Sequence, residues 1–191
     1  MTQMQFTAGR ALLIGVGGAD LPNTIDDATG LADILKDPSR SAYPAEQVAH
    51  LTGPAANRPG ILAALDELRE VSDQETTAVI YFSGHGFWVT GEDGEAYYLM
   101  PHGSDINRLS ETAISGAEFV ERLKSIQARK LLLLLDCCHA GGLAELKAPG
   151  LQFTKAPMPP ESLSLLGEGR GRVVIVFNKM KQSFFDSISL L

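Results

Sequence analysis

Leu131-Leu132-Leu133-Leu134-Leu135-Asp136-Cys137-Cys138-His139-Ala140-Gly141-Gly142 is an unbroken apolar run that stops at an acid, two cysteines, a histidine and glycines. It shows no alternation of apolar and polar positions, so it reads as a strand buried on both faces of a parallel sheet. Parallel sheets place their chemistry just beyond the carboxyl ends of the strands. The only cysteines of the chain therefore sit where a nucleophile belongs. A second stretch has the same grammar: Thr77-Ala78-Val79-Ile80-Tyr81-Phe82, then Ser83-Gly84-His85-Gly86. Two such strands, as neighbours, would present a thiol and an imidazole to each other.

Outward from these strands, Ala11-Leu12-Leu13-Ile14-Gly15-Val16 reads as a first buried strand, followed by a loop with Gly17, Gly18, Asp20, Pro22 and Asn23. Ala28, Leu31, Ala32 and Leu35 then mark one face of a helix. Pro38 and Pro44 bound a loop, and Val48 to Leu51 form a short strand. Asn57 caps a second helix that has Pro59 in its first turn and Ile61, Leu62, Leu65 and Leu68 as its apolar stripe. The polar turn Gly91-Glu92-Asp93-Gly94 precedes a strand over Ala96 to Met100. Ser115 and Glu118 form a capping box for a third helix, which packs through Phe119, Val120, Leu123 and Ile126. Residues 143–170 are rich in Gly and Pro with weak periodicity, and read as a mobile linker. Val173 to Phe177 is a last strand. There is no internal repeat. Strands alternating with helices imply a three-layer α/β/α sandwich with a mostly parallel central sheet, formed as a single domain over residues 1–191.

With 191 residues and 45% hydrophobic content, the chain can bury an ordinary core. A net charge of −7 argues against nucleic acid or an anionic membrane as partner. Two adjacent cysteines do not make a disulfide framework, and Met1 to Arg10 lacks the apolar stretch of a signal peptide. A cytoplasmic protein is expected. The leucine run is far too short to span a bilayer. A monomer is expected.

A thiol is a weak nucleophile until deprotonated, so it needs a base within hydrogen-bond reach. His85, flanked by glycines at a strand end, is the best candidate. Gly86 would let a substrate carbonyl approach the backbone, and the N–H groups of Gly86 and Cys138 would form an oxyanion hole. The competing reading makes His85 a loop residue and both cysteines packing residues. Residues two apart on a strand share a face, which pairs Asp136 with Cys138 and turns Cys137 into the core. His139 is a poorer base than His85, because side chains of adjacent residues diverge. Zinc held by Cys137, Cys138 and His139 does not match the usual ligand spacing. Gly15-Val16-Gly17-Gly18 lacks the third glycine of a dinucleotide fingerprint.

Ser83-Gly84-His85-Gly86 followed by Asp136-Cys137-Cys138-His139-Ala140-Gly141 resembles the paired signature of the caspase-like cysteine peptidases, above all the metacaspases and the bacterial orthocaspases. Ala11-Leu12-Leu13-Ile14-Gly15, Tyr98-Leu99-Met100-Pro101 and Thr112-Ala113-Ile114-Ser115 are similar to the same family, and the likeness runs over about residues 10–177. It implies His85 as base, Cys138 as nucleophile, and cleavage of proteins or peptides after Arg or Lys. It also implies an S1 pocket of Asp27, Asp136 and Ser83. Two recessed carboxylates would hold a guanidinium in fork geometry, although Asp26 and Asp27 also suit the start of a helix. Self-processing of the linker at Lys147, Lys155 or Arg170 is expected from the same resemblance.

Two features depart from the family pattern. The acids after the histidine motif, Glu92, Asp93, Glu95 and the more distant Asp105, are too few for a calcium site, and no metal or cofactor is expected. The tail Asn178-Lys179-Met180-Lys181-Gln182-Ser183-Phe184-Phe185-Asp186 to Leu191 is atypical, and reads as a truncated or partial sequence. That tail motivates a competing function, a catalytically incomplete caspase-like interaction domain. Legumain-like and gingipain-like peptidases share the His-Gly and Cys arrangement, but Asp27 and Asp136 favour basic specificity.

Overall fold

The computed structural model describes residues 5–92, 94–137 and 147–177. Along the chain run β1 (Gly9–Gly15), α1 (Thr24–Lys36), β2 (Val48–Thr52), α2 (Arg58–Val71), β3 (Thr77–Gly91) and β4 (Gly94–Met100). Then come α3 (Leu109–Thr112), β5 (Ile114–Ser115), α4 (Gly116–Ser125), β6 (Lys130–Cys137), β7 (Lys147–Ala148), β8 (Leu151–Lys155), α5 (Pro160–Gly167) and β9 (Arg172–Phe177).

Five strands pair in parallel in the spatial order β2-β1-β3-β6-β9. The leucine run is β6, and it is apolar throughout because both of its faces are covered. Leu131, Leu133, Leu135 and Cys137 pack on one side with Ile61 and Leu65 of α2, Phe119 and Leu123 of α4, and Leu166 of α5. Leu134, with the partly buried Leu132, packs on the other side with Ala28, Leu31 and Leu35 of α1. Each fully buried leucine contributes about 1.5–3 kcal/mol. The result is the three-layer α/β/α sandwich that the sequence implies.

The caps form where the residues predict them. The Asn57 side chain accepts from the Gly60 N–H at 2.9 Å, and Ser115 Oγ accepts from the Glu118 N–H at 3.1 Å. The Glu118 carboxylate accepts from Arg58 Nη2 at 2.8 and 2.9 Å, which ties α4 to α2.

Two segments differ from expectation. The sequence suggests a strand that ends near Phe82, with His85 in a loop, yet β3 continues to Gly91. It lies parallel to β1 and β6 as far as Ser83 and Gly84. From His85 onward it is antiparallel to β4, which folds back across the Gly91–Gly94 turn, and Phe87 to Thr90 also pair with β8. New partners take up the ladder where the old ones stop, so the strand does not end. The linker reading of 143–170 also meets secondary structure, because β7, β8 and α5 lie within it. Short strands and prolines hide these elements from a periodicity test. Their apolar positions are used all the same: Met158 and Leu166 are buried, and Leu151 and Phe153 pack with Phe87 and Val89. Among the described residues, no helix is long and apolar enough to cross a membrane.

Candidate active site

In the parallel sheet, β1 is followed in sequence by β2 on one side and then by β3 on the other, and α1 and α2 cover opposite faces. A reversal of this kind opens a crevice at the carboxyl ends of the two strands, where ligands of open α/β sheets bind. β1 brings the loop with Asp20 to this crevice, and β3 brings His85.

The loop after β1 is pinned at several points. The Gly17 N–H donates to Thr24 Oγ1 at 2.9 Å, that hydroxyl donates to the Leu21 carbonyl at 3.2 Å, and the Leu21 N–H donates to the Gly18 carbonyl at 3.1 Å. Gly17 has φ +69°, which suits glycine. Asp20 Oδ2 lies 2.5 Å from His85 Nε2. The other ring nitrogen of His85, Nδ1, is buried and has no hydrogen-bond partner among the described residues. A cavity of about 260 Å³ opens here, lined by Gly18, Asp20, His85, Phe87, Met100 and His102. The Nδ1–H of His102 donates to the Val16 carbonyl at 3.1 Å.

Burial pushes the His85 ionisation below its ordinary value. The hydrogen bond and charge of Asp20 push it back part of the way, and Lys155 adds to the lowering. For Asp20, burial is the largest single influence and acts upward. The hydrogen bond and charge of His85 outweigh it, so the carboxyl is held low.

The three residues expected to form S1 come together on the face of the sheet covered by α1. Ser83 stands opposite Asp136 in the β3–β6 register. Asp136 Oδ2 accepts from Ser83 Oγ and from the Tyr81 hydroxyl, each at 3.4 Å. Ser83, Asp27 and Asp136 are 0, 4 and 6% exposed. Burial, then the negative charge of Asp136, and more weakly that of Asp27, drive the Tyr81 ionisation far above its ordinary range. Asp26 is exposed at the start of α1, whereas its neighbour Asp27 is buried against the sheet.

Cys137 lies in the core at 2% exposure, beside the buried Tyr97 hydroxyl. Cys138, and with it half of the expected oxyanion hole, lies outside the described residues. Gly86 has a packing reason for being glycine, since a Cβ there would lie 1.8 Å from Tyr97 Oη. Its carbonyl accepts from the Ala156 N–H at 3.4 Å. Of the expected self-cleavage positions, Lys147 opens β7, Lys155 pairs with Phe87 in β8, and Arg170 is exposed in the turn before β9. Among the described residues, no His, Cys, Asp and Glu side chains group as a metal site; Asp93 is outside them.

Sequence reasoning missed Asp20 as a site residue, although a signal was there. It is an acid in a glycine-rich loop directly after the carboxyl end of a buried strand. The nearness of Lys155 to His85 had no sequence signal, because it depends on β8 folding back onto β3.

No curated protein matches the chain. Among solved structures, the crystal structure of protein GSU0716 from Geobacter sulfurreducens is similar, with a TM-score of 0.54 and 20% identity over 70% of this chain and 51% of that one. The chain thus spans about half the length of that structure, and at this identity the likeness is one of fold. The caspase-domain family model matches residues 8–179, a span that runs from before β1 to beyond β9 and takes in both the histidine and the cysteine motifs. The chain belongs to the caspase-domain family, a family of cysteine peptidases.

Proposed function

We propose that this chain is a metacaspase-type cysteine endopeptidase that cuts proteins or peptides after Arg or Lys, with Cys138 as nucleophile and His85 as base. One observation carries the specificity: Ser83 on β3, the strand that carries His85, Asp136 on the neighbouring β6 and Asp27 on the overlying α1 are all buried on one side of the sheet at its carboxyl end. A guanidinium or ammonium from P1 would complement this negative, hydroxyl-rich cluster, and charge-assisted bonds gain strength where water is excluded. An aspartate at P1 would be repelled by it.

In this reading the Cys138 thiol gives its proton to His85, and the thiolate attacks the scissile carbonyl carbon. The C–N bond breaks, the leaving amine takes the proton from the imidazolium, and water then hydrolyses the thioester. No cofactor enters the reaction. The Gly86 and Cys138 N–H groups are assigned to the developing oxyanion. Two adjacent cysteines, of which Cys137 is a free thiol, suit a cytoplasmic setting.

Fluorogenic peptides with Arg, Lys, Asn or Asp at P1 test the assignment. Arg and Lys substrates should be cut, and Cys138→Ala should abolish cutting while Cys137→Ala keeps it. Asp136→Ala and Asp27→Ala should each lower kcat/KM for Arg about 10- to 100-fold, the size of one charge-assisted bond. Efficient cutting after Asp would overturn the specificity. No cutting at all, with no labelling of Cys138 by an arginyl electrophile, would favour a non-catalytic interaction domain.

A further inference from the structure

The shortest hydrogen bond of the crevice involves a residue that lies outside the Cys138–His85 pair. Asp20 Oδ2 and His85 Nε2 are 2.5 Å apart. A carboxylate only accepts, and a neutral imidazole has a single N–H. The proton therefore sits on Nε2, and the lone pair on Nδ1. Nδ1 is the buried nitrogen that has no partner among the described residues. A buried polar atom without a partner is rare enough to require an explanation, and a base waiting for a substrate-driven proton supplies one.

We propose that Asp20 is the positioning residue of the site: by accepting from Nε2–H it fixes His85 in the tautomer whose Nδ1 is the base, and it steadies the imidazolium that forms. This rests on His85 acting as the base of a peptidase. In the step itself, the S–H bond of Cys138 breaks and an N–H bond forms at Nδ1. The Nε2 proton stays in its bond to Asp20 and is not transferred. A merely structural role for Asp20 fits the surroundings poorly. Its side chain is 38% exposed, and its loop is already pinned through Thr24. A hydrogen bond whose acceptor is that open to solvent contributes little to stability.

Among the described residues, the charged and titratable groups around the ring are Asp20 from the β1–α1 loop, Lys155 from β8 and His102 from the segment after β4. Of these, Asp20 is the acid that raises the His85 ionisation, so its removal should let His85 ionise at lower pH still. The test compares the whole chain with Asp20→Asn and Asp20→Glu on an arginyl aminocoumarin peptide, and follows His85 by 15N NMR in the Cys138→Ala background. Asp20→Asn should lower kcat about 10- to 100-fold with KM held within about twofold. The acid limb of kcat/KM should move to lower pH, the melting temperature should hold, and Asp20→Glu should recover part of the rate. The NMR spectrum should show an Nε2–H tautomer at neutral pH and a lower titration midpoint in Asp20→Asn. Unchanged kcat and acid limb in an active Asp20→Asn enzyme would overturn the proposal. If the unmodified chain proves inactive, the peptidase reading fails by itself and the NMR arm decides: an Nδ1–H tautomer, or a midpoint indifferent to Asp20→Asn, overturns the positioning role.

Discussion

Gly86→Ala should be among the more costly single-methyl additions in this chain. The new Cβ would lie 1.8 Å from Tyr97 Oη, 2.7 Å from Cζ and 3.3 Å from the Ala156 carbonyl oxygen. Comfortable carbon contacts begin near about 3.5 Å, so the ring would have to retreat by well over an ångström. It has little room to do so. Tyr97 is 4% exposed and packs edge-on against Trp88, with centroids 6.3 Å apart at 89°. Overpacking costs about 1–3 kcal/mol, and a trapped ring puts this site at the upper end. For a chain of this size that is roughly 5–10 °C in Tm. Tyr97→Phe alone should change stability by about 0–1 kcal/mol, since it removes a hydroxyl that gains little. In the double variant the oxygen clash vanishes while the Cζ contact stays, so about half of the loss should return. Urea unfolding of all four chains in a Cys138→Ala background, where self-digestion cannot interfere, gives the coupling directly. Strict additivity, or a Gly86→Ala midpoint equal to that of the parent, would refute the argument. The result also bears on catalysis: activity lost in Gly86→Ala and regained with Tyr97→Phe would be a packing effect, not the loss of an oxyanion donor.

Stability should fall as pH drops below about 6.5, because the folded state holds the His85 ionisation below its ordinary value and so binds fewer protons than the unfolded chain there. The urea midpoint should decrease from about pH 7.5 to about pH 5.5, and His85→Gln should flatten the slope; an equal slope in both chains would contradict the sign. If the chain cuts itself, the turn at Arg170 should be cut before Lys155, since a residue paired in a strand cannot enter an active site until that strand opens. Timed mass spectrometry of the fragments checks the order. An early cut after Lys155, absent in Cys138→Ala, would show that β8 opens more readily than its pairing implies.

The parallel core was legible because burial on both faces leaves an unmistakable mark, five leucines in a row that face two helical layers. The caps at Asn57 and Ser115 were legible because capping is a local event between residues three apart. The β7–β8 hairpin was not, since its strands are short and owe their order to Phe87 and Val89, far away in sequence. At the site, it was the resemblance that singled out Ser83 and Asp136, and their motif positions at two strand ends fit the register in which they stand opposite each other. The split between Asp26 and Asp27 could not, because it turns on which side of α1 meets the sheet.

β3 belongs to two sheets at once, and His85 stands at the handover. On the amino-terminal side the strand is held by β1 and β6, and on the carboxyl-terminal side by β4 and β8. Each sheet can open as its own cooperative unit. His85 itself pairs with Met100 of β4, so its amide should exchange whenever the antiparallel sheet opens, ahead of the amides of the parallel core. The same partial opening reaches the imidazole. Loss of the antiparallel sheet alone would leave the parallel core intact yet set the histidine adrift, and the proposed peptidase would fall silent well before the protein melts.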